Sequence, residues 1–228
     1  PVIRQAWVDN DLDKIRTLHR DISLNLLLIG GFLFTVLIAD SEALFRLLPP
    51  EYASGQWVLL IIALGRLIDM GFGLNNEILY SSNHYRWIVY LSIGIVLCSI
   101  LLNMWFIPIW GMNGAALAVT ITLILFNLIK TWMIYHKFGI HCFSRHYISL
   151  LLLIPAVLFV MHLLPYVTFM RSHMFMNALL NVILKSGLSA VLFLLPLYFL
   201  RVSDDFNHFI RLVGSGKIFK GGHKLHEL

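Results

Sequence analysis

Between Trp87 and Ile129 the chain runs for 43 residues without one charged side chain. Midway along that run lies a turn, Pro108-Ile109-Trp110-Gly111-Met112-Asn113-Gly114. A helix rises about 1.5 Å per residue and a hydrocarbon core is about 30 Å thick, so each half is long enough, or nearly so, to cross a bilayer. The turn chemistry predicts a tight helical hairpin rather than one very long helix. The chain reads as a polytopic membrane protein. Its function has to be sought in what it keeps polar inside the membrane.

Composition bears on which functions are excluded. With 59% apolar residues, 13% charged residues and a mean hydropathy of +0.80, the chain lies far outside the soluble range. Its formal charge of +5 and pI near 9.3 would suggest nucleic acid in a soluble protein. No basic-aromatic patch or RNA-binding motif supports that, and basic loops facing anionic lipid explain the excess. The two cysteines, Cys98 in an apolar stretch and Cys142 in a loop, form no disulfide framework and read as free thiols. The chain opens at Pro1 in a polar, helix-prone segment, without initiator Met or signal-peptide pattern. It reads as the C-terminal part of something larger.

Hydropathy predicts six crossings: Ile22–Ala39, Trp57–Leu79, Trp87–Ile107, Gly114–Ile129, Tyr147–Tyr166 and Phe175–Leu200. The fold class expected is therefore all-α, a polytopic membrane helix bundle. Ahead of it, residues 1–21 form an amphipathic cytoplasmic connector, with Leu12, Ile15 and Leu18 on one side. With the N-terminus in the cytoplasm, thirteen Lys and Arg fall in inside segments and only Arg46 and Arg171 in outside loops. That is a strong positive-inside bias and supports an even number of crossings, with both ends inside. The tail, residues 201–228, is basic, and the outer loops are too short for an extracytoplasmic domain.

The second predicted span carries Arg66, Asp69, Asn75, Asn76 and Glu77 among apolar residues. On one regular helix Arg66, Asp69, Gly73, Asn76 and Glu77 share an arc of about 100°. A charge near the bilayer centre costs roughly 2.5–3.5 kcal/mol on insertion scales. Arg66 and Asp69, at i and i+3, can pair and lower that cost. Two readings stay open: an internal structural ion pair, or a face lining a water-filled cavity for a polar or anionic substrate. In the sixth span Asn177, Asn181 and Lys185 recur every four residues, extended by Ser189. This stripe is either interhelical hydrogen bonding with a partly snorkelled lysine, or a second cavity wall. Asn103, alone in the third span, reads first as glue between helices and is a weaker cavity candidate.

Small residues mark packing. Gly111–Ala115 and Gly114–Ala118 are small-xxx-small pairs at the start of the fourth span, where another backbone can approach closely. Conversely, the ten histidines form no HExxH, and no Walker A loop, CxxC or serine nucleophile elbow occurs. His223 and His226 have metal-ligand spacing but read as part of a solvated tail. No metal, no cofactor and no enzyme activity is expected, and a passive or ion-coupled carrier fits better than an ATPase.

Several stretches resemble a known family. They are Pro1-Val-Ile-Arg-Gln-Ala with Asn10-Asp11-Leu12-Asp13-Lys14-Ile15; Leu48-Pro49-Pro50-Glu51-Tyr52-Ala53-Ser54-Gly55; Leu64-Gly65-Arg66-Leu67-Ile68-Asp69-Met70 through Gly73-Leu74-Asn75; and Ile107-Pro108-Ile109-Trp110-Gly111-Met112-Asn113-Gly114-Ala115-Ala116-Leu117-Ala118. Together, over roughly residues 1–140, they resemble the C-terminal lobe of lipid-linked oligosaccharide flippases. These polysaccharide biosynthesis proteins (the O-antigen and capsule branch) belong to the multidrug/oligosaccharidyl-lipid/polysaccharide exporter superfamily. The Pro, short turn and Gly-x-x-Gly-Ala-Ala entering a helix is the most specific of the matches.

The resemblance implies two six-helix lobes around a cavity that alternates between membrane faces. Residues 22–138 would supply the last four helices of the second lobe, and 139–200 an appended pair. The first lobe would be missing in front, so this chain would not transport alone. The implied substrate is an undecaprenyl-diphosphate-linked oligosaccharide in a bacterial inner membrane, with membrane lipids and polysaccharide assembly proteins as further partners. Arg66 would meet the diphosphate, and Asp69 would hold Arg66 or bind sugar hydroxyls. A multidrug antiporter and a lipid II flippase are the nearest rivals. A membrane polysaccharide polymerase is the rival of another class, against which the short outer loops speak.

Overall fold

The computed structural model describes residues 2–82, 85–164 and 174–200. Within them the elements are α1 (Val2–Val8), α2 (Leu12–Ala39), α3 (Ser41–Leu47), a 3-10 turn (Pro50–Tyr52), α4 (Gly55–Gly71), α5 (Asn75–Ser81), α6 (Tyr85–Phe138), α7 (Arg145–Leu163) and α8 (Met174–Leu200). Among the described residues no strand occurs, and they form an all-α structure. The basic tail with His223 and His226, the loop with Arg171, and Tyr166 at the end of the fifth predicted span lie outside the described residues.

Helix α2 is the element around which the others gather. Asp11 starts it by accepting a hydrogen bond from the Lys14 backbone N–H at 2.9 Å, satisfying one of the donors a helix start leaves free. The helix then continues for 28 residues, about 42 Å. The latter part of the expected connector runs into the first predicted span without a break. Nothing from Lys14 to Ser23 is a Gly or Pro that would break the helix, so connector and span are one rod.

Two buried clusters hold the helices together. In the first, Leu24, Leu27, Leu28 and Phe34 of α2 pack with Leu67 of α4, Tyr147, Leu150 and Ile154 of α7, and Phe193 and Leu197 of α8. Helices α7 and α8 thus share a core with α2 and α4. The second cluster joins Ala6 of α1, Ile15 of α2, Ile78 and Leu79 of α5, Ile140, and both Ile88 and Ile134 of α6. In a straight helix Ile88 and Ile134 would stand about 69 Å apart. They meet because α6 doubles back.

The reversal sits at the predicted turn. Gly111 has φ 56° and ψ −128° inside the 54-residue α6, backbone that a side chain disfavours. Three residues on, a Cβ added at Gly114 would lie 2.1 Å from the carbonyl oxygen of Phe106. Along a straight helix those positions are about 12 Å apart. The expected hairpin is present.

Helix lengths do not give the six continuous spans expected. Among the described residues four helices, α2, α6, α7 and α8, are long and apolar enough to cross a membrane, or five with α4 and α5 counted as one bent pair. The second predicted span is that pair, broken at residues 72–74 and bent by 48°. Gly73 lies at φ 55° there. A Cβ on it would fall 2.1 Å from Ser23 Oγ and 2.8 Å from Ser23 Cα, so a glycine both turns the chain and lets α2 press against the break.

Candidate functional site

Because of that break, the polar arc expected on one helix is divided between two. Arg66 and Asp69 lie on α4, Gly73 is the hinge, and Asn76 and Glu77 begin α5. Arg66 remains 64% exposed along its side chain, with its guanidinium 3.8 Å from an Asp69 oxygen. The expected pair is therefore present but loose. Asp69 has a shorter bond elsewhere: Asn127 Nδ2 on α6 donates to its Oδ1 at 2.7 Å.

The second limb of α6 provides a full set of partners. Lys130 Nζ donates to Asn76 Oδ1 at 2.9 Å and stands 4.0 Å over the Phe126 ring. Asn75 Nδ2 donates to Thr131 Oγ1 at 2.8 Å. Thr120 Oγ1 donates to the Ile61 carbonyl at 3.0 Å, beside Gly65, whose missing side chain leaves room for it. Asn76 and Glu77 are exposed, Asp69 half-buried and Lys130 2% exposed. The result is a polar seam between α4–α5 and α6, with Arg66, Asn76 and Glu77 at its open edge and Lys130 behind.

No family model, curated protein or solved structure gives a significant match to this chain.

The other predicted residues fall elsewhere. Asn103 Nδ2 donates to the Ser99 carbonyl at 2.8 Å and to Ser99 Oγ at 3.4 Å, so the bonds seen lie within its own helix and not across to another. Asn177 and Asn181 are buried, with Asn181 Nδ2 donating to the Asn177 carbonyl at 2.8 Å. Their helix packs on α2 and α3, and Lys185 lies near Asp40. This stripe belongs to a different side of the bundle from Arg66. Gly114 and Ala118 are buried and Ala115 half-buried. Gly111 is exposed with open space around it, and its role is in the backbone turn, not in packing.

Asn127 and Lys130 are the site residues that sequence reasoning missed. Lys130 directly follows the fourth predicted span, Gly114–Ile129, so hydropathy counts it among the charges of the inside segments. A signal was available: Thr120, Asn127, Lys130 and Thr131 also share an arc of about 100° on a regular helix, and they face the seam.

Chemically the seam combines two cations with two carboxylates, Arg66 and Lys130 against Asp69 and Glu77. Arg66, exposed and weakly held, has guanidinium donors free for an oxyanion. The amides and carboxylates suit hydroxyl-rich groups. Among the described residues no group of three His, Cys, Asp or Glu could hold a metal ion.

Proposed function

We propose that this chain is part of a membrane transporter that flips undecaprenyl-diphosphate-linked oligosaccharide across a bacterial cytoplasmic membrane, without making or breaking a bond. The observation that carries the reading is Arg66: a guanidinium on an apolar helix, 64% exposed, and only 3.8 Å-paired to Asp69. Such a charge facing acyl chains would cost roughly 2.5–3.5 kcal/mol or more. The face it occupies therefore suits a hydrated cavity or another protein surface. Asp69, Asn76 and Glu77 beside it supply acceptors and donors for sugar hydroxyls, and Arg66 supplies the contact to diphosphate.

In this reading α6 crosses twice and α4–α5 once, which makes six crossings with both ends in the cytoplasm. A second lobe covers the open edge of the seam, and the two rock about a site near the midplane. The local resemblance of residues 64–75 and 107–118 to oligosaccharide flippases supports the substrate class.

The test is Arg66→Ala and, separately, Asp69→Ala in the native host, with surface polysaccharide and membrane protein level measured together. Loss of polymer at normal protein level supports transport through this face. Unchanged polymer, or polymer that falls only with protein level, refutes it. Altered drug sensitivity with normal polymer would point to a multidrug exporter instead.

A further inference from the structure

Asp40 sits at the elbow between α2 and α3 and is 2% exposed. An aspartate at a helix start ordinarily accepts a backbone N–H of the first turn, yet this carboxyl makes no cap bond to α3. It is turned instead toward α8, where its Oδ2 is hydrogen-bonded to Ser186 Oγ. Its other oxygen, Oδ1, is sealed from solvent and has no hydrogen-bond partner. Beside it lies a cavity of about 620 Å³, walled by apolar side chains including Leu33, Val36, Leu44 and Val182.

An ionised carboxylate can accept about four hydrogen bonds, and one is supplied here. Burying the charge so poorly solvated is costly. The neutral acid, protonated at Oδ1, still accepts the Ser186 hydroxyl at Oδ2 and carries no charge for the apolar surroundings to solvate. A metal cation does not fit, because Lys185 lies close enough to be felt electrostatically and Oδ1 is closed off. A proton fits.

We propose that Asp40 and Ser186 form a proton-binding site that clamps α8 onto the α2–α3 elbow. The site is independent of what the transporter carries. Burial pushes the carboxyl above the ordinary carboxylate range, with the Ser186 bond and then Lys185 opposing that push. The α2 side chains that line the adjoining cavity, Phe32, Leu33, Val36 and Leu37, carry no charge. Glu42 and Arg46 of α3 pair with each other at 2.8 Å on the surface. Lys185 is the charge contributed by α8. The docked form thus holds its proton more tightly than the undocked one. Clamping is complete below the ordinary carboxylate range and is lost as pH rises through the raised value.

The experiment is infrared titration of the whole chain in lipid vesicles, following the protonated-carboxyl band, together with thermal unfolding across pH. A band that Asp40→Asn removes, titrating above the ordinary carboxylate range, is expected. Ser186→Ala and Lys185→Met, which remove the two opposing influences, should each move its midpoint to higher pH. Wild-type unfolding temperature should fall across that window while Asp40→Asn stays flat. A band unaffected by Asp40→Asn, or a midpoint that neither Ser186→Ala nor Lys185→Met moves upward, would overturn the proposal. Should Asp40→Asn fail to fold, those two variants still decide the matter.

Discussion

Lys130 and Asn76 lie 54 residues apart in sequence and 2.9 Å apart in space, ammonium to amide oxygen. The lysine is almost wholly buried, with Phe126 beneath it. Leaving such a charge without its partner is worse than removing the charge. Asn76→Ala is therefore expected to destabilise by about 1.5–3 kcal/mol. Lys130→Met, which keeps most of the stem, should cost about 1 kcal/mol or less. Reversible unfolding in bicelles measures both. The opposite order would mean that the ammonium is held by something other than Asn76.

Arg66 gives the contrasting case. Its pairing with Asp69 is long and open to solvent, and such pairs contribute about 0–1 kcal/mol. Arg66→Ala should therefore leave the unfolding midpoint nearly unchanged. Asn127→Ala, which removes the 2.7 Å donor to Asp69, should cost about 1 kcal/mol or more. If Arg66→Ala instead lowers stability as much as Asn127→Ala, the arginine is a structural strut.

The hinge between α4 and α5 tests the fold. At Gly73 an added methyl meets Ser23 and the backbone is already left-handed. Gly73→Ala should destabilise by about 2–4 kcal/mol, combining overpacking with φ strain. Gly111→Ala carries the strain without the collision, since nothing lies within 4 Å of it, and about 1–2 kcal/mol is expected. Comparing the two separates steric from conformational cost, and equal losses would contradict the close approach of α2.

Cys142 is buried between α6 and α7, and burial pushes its thiol from 9.0 up to about 11. The thiolate is the reactive form. In a Cys98→Ser background, maleimide labelling of the folded chain should be negligible near neutrality and rise only toward pH 11 or on unfolding. Stability from this group is intact below pH 9, the ordinary value, and is lost as pH climbs through about 11. Rapid labelling at neutral pH would show that the loop opens.

Local chemistry that acts over a few residues was legible beforehand. Pro108, Gly111 and Gly114 announced a reversal, and the structure turns there. Arg66, Asp69, Asn76 and Glu77 were recognisable as polar groups out of place. What did not follow was their geometry, because the 48° break at Gly73 invalidates any arc drawn along a single helix. The glycine's reason lies in Ser23, fifty residues earlier, which no local pattern reveals. Lys130 was misplaced for a related reason: hydropathy ends a span at the first charge, whereas here the charge is folded inward against Asn76.

The meeting of Ile88 and Ile134 has a topological consequence. A segment that leaves and returns to one place is neutral to everything downstream: deleting or inserting residues 85–138 as a block would not invert the sidedness of α7 and α8. Limbs can thus be gained or lost two at a time while the parity of the chain is preserved.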